Sequence, residues 1–246
     1  MDGWRPIHAA ASNGHFDVVE FLVEQNVDLN LQTNFGFTAL DLAVINKHAQ
    51  IVEFLLQAKV DKTMRNEVGR TALHLACQSG EKEIFEIVQR YCSKSDLHLT
   101  DNERYNCLHI AVESGHNEMV KLLMEKKMFP VNSQTSDGSS ALYLAAAGGH
   151  LDIVKSLTKT YKADVNLPET DGWSPLHIAA QEGYTDIAKE LIKAGAKLEA
   201  KTDEGYKAAE IATYNGNKDI TDTIKKAQGI IDKIYSARPN LAPSSK

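Results

Sequence analysis

One apolar position returns along this chain at a nearly fixed interval, and that recurrence limits what it can fold into. The position is filled by Ile7, Leu40, Leu73, Leu108, Leu142, Leu176 and Ala209, at successive spacings of 33, 33, 35, 34, 34 and 33. A chain of 246 residues would ordinarily form one or two globular domains. Self-similarity at this period points instead to a stack of supersecondary units, none able to bury its apolar face alone. The clearest copy reads DGWSPLHIAAQEGYTDIAKELIKAGA, from Asp171 to Ala196. Asp171-Gly172 is a turn pair, Ser174 is an N-cap type residue, and Pro175 suits a first helical turn. A helix over Leu176–Gln181, a turn at Gly183, and a second helix over roughly Asp186–Lys193 follow, with Gly195 as a left-handed cap. Helices this short are unstable alone in water and must stack on neighbours.

The SPLHIAA motif within a helix–turn–helix unit resembles the ankyrin repeat, whose signature T-P-L-H-x-A recurs at about 33 residues. The resemblance covers almost the whole chain and implies an all-α repeat solenoid, curved, with stacked helix–turn–helix repeats and short β-hairpin loops. The expected repeats are 2–34, 35–67, 68–102, 103–136, 137–170, 171–202 and 203–228, together an ankyrin repeat domain over 1–228. Residues 229–246 are expected to add a short helix, IIDKIYSA, and a disordered tail, ARPNLAPSSK, rich in proline and serine. Several positions depart from the pattern. Asp41 replaces the motif histidine, Lys47 replaces a turn glycine, and Arg104 stands where a hairpin glycine belongs, which puts that hairpin's geometry in question. The loop YCSKSDLHLTDN carries two extra residues. The seventh copy loses both proline and histidine and has a charged second helix, as a terminal cap should. The first copy is nearly ideal and keeps Val18, Val19, Phe21, Leu22 and Val23 on its helices. Two readings follow: an apolar edge left partly open, or a chain cut from a longer array.

A net charge of −6 and a pI near 5.9 argue against nucleic acid or anionic membrane as partners. No apolar run approaches a membrane span, and no charged-then-apolar leader precedes the first repeat. Cysteine is sparse: Cys77 falls in a small-residue core row, Cys107 takes the proline place of its repeat, and Cys92 is the third. Free thiols behaving as small hydrophobes imply a reducing compartment. A monomeric cytoplasmic protein, also nuclear in one reading, is therefore expected; secretion would apply to a toxin or effector fragment.

Eight of the nine histidines occupy two register positions. His8, His74, His109 and His177 close the motif; His15, His48, His116 and His150 follow the inter-helix turn. The resemblance implies structural hydrogen bonding for the motif histidines. None of the histidines has the close cysteine or histidine spacing of a zinc site. No isolated carboxylate pair, G-x-S-x-G elbow, P-loop or dinucleotide glycine pattern is present. No catalytic, metal or cofactor residues are nominated, and the chain is expected not to be an enzyme.

Positions outside the frame carry more. The residue after each hairpin glycine, a frequent partner contact in the family that the chain resembles, is Trp4, Phe37, Arg70, Tyr105, Ser139, Trp173 or Tyr206. Five are aromatic, the type that dominates interface hot spots, although each could simply pack on a neighbouring hairpin. Phe35 adds an aromatic at a hairpin tip and Arg104 a cation. The inner face of the first helices adds Ile45, Gln78, Glu113, Ala147, Gln181 and Tyr214. The candidate partner-binding set is thus Trp4, Phe35, Phe37, Arg70, Arg104, Tyr105, Trp173, Gln181, Tyr206 and Tyr214. Hairpin tips at Glu67, Glu103, Asp137, Asp171, Asp203 and Glu204 make this side mostly acidic, which suits a partner with basic and apolar features. Asn30, Asn132 and Asn166 resemble the site modified by asparaginyl hydroxylases in ankyrin proteins. Asn30, with Leu22 eight residues earlier, is the best match; bonding across the hairpin is the competing role. The expected function is a non-catalytic scaffold or adaptor that binds a protein on its concave hairpin and inner-helix face. The alternative is an ankyrin segment of a secreted toxin or pathogen effector acting on host or target-cell proteins.

Overall fold

The computed structural model describes residues 2–237, the side chains of Ile234 and Tyr235 excepted; the expected tail lies almost wholly outside them. The chain divides into two compact units, one of residues 1–130 with 134–136 and one of residues 131–133 with 137–246. The first unit holds four helix pairs: α1 (Pro6–Ser12) with α2 (Phe16–Glu24), α3 (Ala39–Ile45) with α4 (Ala49–Gln57), α5 (Ala72–Ser79) with α6 (Lys82–Tyr91), and α7 (Cys107–Glu113) with α8 (Asn117–Glu125). The second holds α9 (Ala141–Ala147) with α10 (Leu151–Lys155), α11 (Pro175–Glu182) with α12 (Thr185–Lys193), and α13 (Ala208–Tyr214) with α14 (Lys218–Ala237). The architecture is an all-α repeat solenoid. In the first unit α1, α3, α5 and α7 stack in turn; in the second α9, α11 and α13 do the same.

The recurring apolar residue is buried in each repeat through Leu176, never more than 3% exposed. Three residues later every repeat has alanine: Ala10, Ala43, Ala76, Ala111, Ala145, Ala179 and Ala212, all at most 4% exposed. A methyl group there lets adjacent first helices approach closely, and a larger side chain would overpack the joint. On the second helices Val19, Val52, Phe85, Val120, Val154 and Ala188 are completely buried in the same register. α1 and α2 leave Phe21 57% and Val18 46% exposed, the open apolar edge that the first repeat suggests.

The hairpins are turns tied together by single backbone bonds. In the first unit the amides of Asn34, Glu67, Asn102 and Ser136 donate to the carbonyls of Asp2, Phe35, Val68 and Glu103 at 2.8 to 3.2 Å. In the second, Thr170 donates to Asp137 and Asp203 to Asp171 at 2.9 and 3.0 Å. Arg104 keeps the hairpin by adopting φ +63°, with Asp101 N–H donating to Tyr105 C=O at 2.9 Å. The glycine is therefore replaced at a strain cost rather than by a new geometry.

The turn between helices shows paired replacement. A Cβ on Gly14 would lie 2.7 Å from the His48 ring, and one on Gly80 2.6 Å from His116. His48 and His116 reach back through Nε2 to the Ser12 and Gln78 carbonyls at 3.0 and 2.8 Å. Lys47 takes the glycine place at φ +64°, and the residue that would carry the facing ring is Glu81. The glycine–imidazole contact becomes a Lys47–Glu81 ion pair at 2.7 Å.

Extra residues are absorbed locally. The two in the third repeat form a 3₁₀ turn at Asp96–His98, and the one in the fifth becomes a π-turn over Ser156–Thr160. The last helix differs from expectation: α14 runs unbroken through Gly229 to Ala237, where a separate short helix was expected. A Cβ at Gly229 would meet nothing within 4 Å among the described residues, so no close approach there calls for a glycine.

Candidate functional site

The motif histidines are structural, and their bonds show why. In each, Nδ1 accepts the N-cap amide: Arg5 to His8 at 3.0 Å, Thr71 to His74 at 3.2 Å, Asn106 to His109 at 3.3 Å and Ser174 to His177 at 3.0 Å. That leaves Nε2–H as the donor, to the carbonyls of Leu31, Leu99 and Ala200 from His8, His74 and His177, at 2.9, 2.9 and 3.1 Å. With both nitrogens used, the rings of His8, His74 and His177 have nothing to offer a metal. Among the described residues no group of His, Cys, Asp and Glu side chains could hold one. Burial pushes the His74 pKa down to about 4 and lowers that of His177, so both are neutral.

Asp41 sits at the same register position with a shorter side chain. Its Oδ2 accepts the Thr38 amide and hydroxyl, both at 2.9 Å, and it is 1% exposed. Burial raises its pKa to about 7, against the lowering effect of the Thr38 bonds.

The aromatic row stands directly on these histidines. Trp4 meets His8 edge to face at 6.4 Å, Tyr105 meets His109 at 5.8 Å, and Trp173 meets His177 at 6.3 Å. Each ring thus packs within its own repeat, yet none is consumed by doing so. Phe37, Tyr105 and Trp173 are half-buried, and Trp4 and Tyr206 are 45% and 52% exposed. A ring held on one side and open on the other has already lost the side-chain entropy that binding would otherwise remove.

Two hollows between hairpin and first helix gather the candidate residues. One, of about 420 Å³ in the first unit, is lined by Phe37, Ile45, Val68, Arg70, Leu75 and Gln78, among others. The other, of about 550 Å³ in the second unit, is lined by Trp173, Gln181, Glu204, Tyr206, Glu210 and Tyr214, with Ile211 and Asn215. They are register equivalents: Phe37 matches Trp173, Ile45 matches Gln181, Val68 matches Glu204, Arg70 matches Tyr206, and Gln78 matches Tyr214. The same frame therefore builds the same concavity twice with different chemistry. A larger hollow of about 720 Å³ lies on the second-helix side, against α4 and α6. Its Glu53 is already held by Arg90 and Tyr91 at 2.7 and 2.8 Å.

Of the ten nominated residues, Trp173, Gln181, Tyr206 and Tyr214 converge in the second groove, and Phe37 and Arg70 in the first. Trp4, Phe35, Arg104 and Tyr105 line neither; Phe35 and Arg104 are exposed on hairpin tips. Arg70 is half-buried and bonded within the chain, to Asp101 at 3.2 Å, Gln78 at 3.2 Å and Glu113 at 3.5 Å. Val68 and Glu210 were missed. Register could have found both, Val68 as the tip equivalent of Glu204 and Glu210 as the replacement for the motif histidine. Asn30 is occupied: its Oδ1 accepts the Asp61 amide at 2.8 Å, as Asn132 does for Asp164 at 2.9 Å and Asn166 for Lys197 at 2.8 Å. This is the hairpin-bridging role.

The family model for ankyrin repeats (three copies) matches residues 1–66, 59–131, 85–169 and 161–233. Among solved structures, the chain is similar to the ankyrin repeat domain of Bcl-3, described as a unique member of the IkappaB protein family. That match has 26% identity and a TM-score of 0.73, covering 90% of this chain and 100% of that one. It is also similar to the human ASB11 ankyrin repeat domain, at 26% identity and a TM-score of 0.74, covering 85% and 92%. Among curated proteins none matches.

Proposed function

The chain belongs to the ankyrin repeat family, and we propose that it is a non-catalytic scaffold or adaptor that binds a partner protein through the hairpin and first-helix side of its repeats. One observation carries this reading. The buried joint positions of the first helices stay leucine or isoleucine and alanine from Ile7 and Ala10 through Leu176 and Ala179, while most positions lining the two grooves change chemistry, from Val68, Arg70 and Gln78 to Glu204, Tyr206 and Tyr214. Stacking explains the first set; recognition of something outside the chain explains the second. The rings at Trp173 and Tyr206 are large, pre-positioned and open to solvent, which is how hot-spot residues are placed. A monomer in a reducing compartment, cytoplasmic or nuclear, fits the three free cysteines. No helix among the described residues is long and apolar enough to cross a membrane. The reading as a segment of a secreted toxin or pathogen effector finds no support among the matches.

The test is affinity purification of a partner followed by titration against Trp173→Ala and Phe37→Ala chains. At least one should bind about fivefold to thirtyfold more weakly, the range of a hot-spot truncation. Unchanged affinity in both, with folding intact by circular dichroism, would sink the proposed face.

A further inference from the structure

We propose that the groove of the second unit, between the last hairpin and α11 and α13, receives the guanidinium of an arginine from the partner. The proposal rests on the interaction reading above and names the chemistry that this groove selects.

Three rings border the groove. Trp173 is fixed by its edge contact with His177, while Tyr206 is 52% and Tyr214 92% exposed. Aromatic faces are electron-rich and attract cations, and a planar guanidinium can stack on them. Glu204 and Glu210 stand in the same lining, and Gln181 donates to Glu182 at 3.1 Å beside it. Among the described residues no lysine or arginine lines it. The nearest in sequence, Lys207, is bonded to Glu199, and its amide is held by Glu210 Oε2 at 2.8 Å. Carboxylates also gather around Tyr143 of the same unit: its phenol is pushed up to about 12, first by burial and then by Glu169, Asp137, Asp171 and Glu182.

The first groove shows what such a site holds. There the chain supplies its own guanidinium, Arg70, at the position of Tyr206. It bonds Gln78 at the position of Tyr214, and it reaches the carboxylates of Asp101 and Glu113. In the second groove the cation is gone, aromatic rings replace Arg70 and Gln78, and two carboxylates, Glu204 and Glu210, stand at the register positions of Val68 and His74. The two concavities differ by the charge that a partner would bring.

The chain has two tryptophans, so two indole N–H signals report the two ends independently, assigned with Trp4→Phe. The uniformly ¹⁵N-labelled full chain is titrated with acetyl-Ala-Arg-Ala-Arg-Ala-amide, and with the glutamine and glutamate versions as controls. The Trp173 signal should move saturably with the arginine peptide only, the Trp4 signal should stay still, and added salt should weaken the response. Tyr214→Ala, at a fully accessible site, should weaken binding about fivefold, and Glu204→Lys should abolish it. No saturable movement of Trp173, an equal response to the glutamate peptide, or indifference to both substitutions overturns the proposal. Failure here is distinguishable from failure of the broader reading. A partner that loses affinity for Phe37→Ala but binds Tyr214→Ala and Glu204→Lys normally refutes the arginine groove alone.

Discussion

The groove at Phe37 and Arg70 and the groove at Trp173 and Tyr206 are built by the same frame and lined by different chemistry. Beneath each lies a buried leucine, Leu40 or Leu176, and beside it a completely buried alanine, Ala43 or Ala179. Above that level every lining residue compared differs. The first groove is apolar at Ile45 and Val68, 39% and 54% exposed, and its one cation is already neutralised by Asp101 and Glu113. The second is aromatic and acidic, with its charge uncompensated by any lysine or arginine in the lining. A repeat stack therefore separates stability from specificity position by position, because each buried row touches only its neighbours while each lining row touches solvent.

The strongest way to break the comparison is to remove the shared frame on one side only. Leu176→Ala should lower stability by about 2–5 kcal/mol, the range for a buried leucine that leaves a cavity. In urea it should loosen the second unit first, and the Trp173 indole signal should broaden before the Trp4 signal. A single transition in which both signals disappear together would show that the two grooves do not rest on separable supports.

Two buried residues of the first unit, Asp41 and His74, should also respond to pH with opposite signs. Burial raises the Asp41 pKa from an ordinary 3.8 to about 7, so its contribution to stability is fully present below the unfolded pKa and is lost as pH rises towards 7. A change of that size corresponds to an upper bound on the order of 4 kcal/mol. His74, held down at about 4 by burial, behaves conversely: its contribution is present above 6.5 and is lost as pH falls towards 4. Asp41→His, which restores the motif, should make urea denaturation midpoints rise more steeply with pH between 4 and 7, because the opposing contribution of Asp41 is gone. If the slope is unchanged, Asp41 does not titrate as its burial requires.

Arg70→Ala sharpens the chemical contrast. It strips the first groove of its cation and leaves Asp101, 7% exposed, without its ion pair, although Asp101 still accepts the Glu103 and Tyr105 amides at 3.1 and 2.8 Å. A loss of about 1–3 kcal/mol is expected, below that of Leu176→Ala. A stability change near zero would mean that Arg70 is as free for a partner as the sequence suggests. The smallest effect is expected at Arg104. Replacing a side chain at φ +63° by glycine should stabilise by about 0.5–1 kcal/mol, read as a rise in melting temperature. A fall would show that the arginine side chain contributes more than its backbone strain removes.

Much of this was legible in the register. Seven copies, the buried leucine and alanine rows, the structural role of the motif histidines and the hairpin asparagine bridge all follow from one period, because the interactions that enforce them recur in each copy. Arg104, where the hairpin geometry was in question, and Lys47, which replaces a turn glycine, proved to be left-handed residues in an unchanged fold, since the stack on either side over-determines those turns. The aromatic row was visible as a row, but not that Trp4, Tyr105 and Trp173 each lean on a histidine of their own repeat. The expected break at Gly229 was wrong because glycine weakens a helix without ending it, and α14 runs on through that position.

What the sequence determined by itself is therefore the period, the buried rows and the positions free to vary. Those are one-dimensional properties, set by contacts that repeat at a fixed distance along the chain. What only the tertiary structure decided is how the free positions combine. Arg70 is tied down because Asp101 and Glu113 arrive from the next repeat, whereas Trp173, Tyr206, Glu204 and Tyr214 close around one hollow. Asp41 is forced towards neutrality because the packing buries it, which outweighs its bonds to Thr38. Such outcomes depend on what a neighbour one repeat away presents in space, and pairing across that gap is a matter of distance and burial that periodicity alone does not encode.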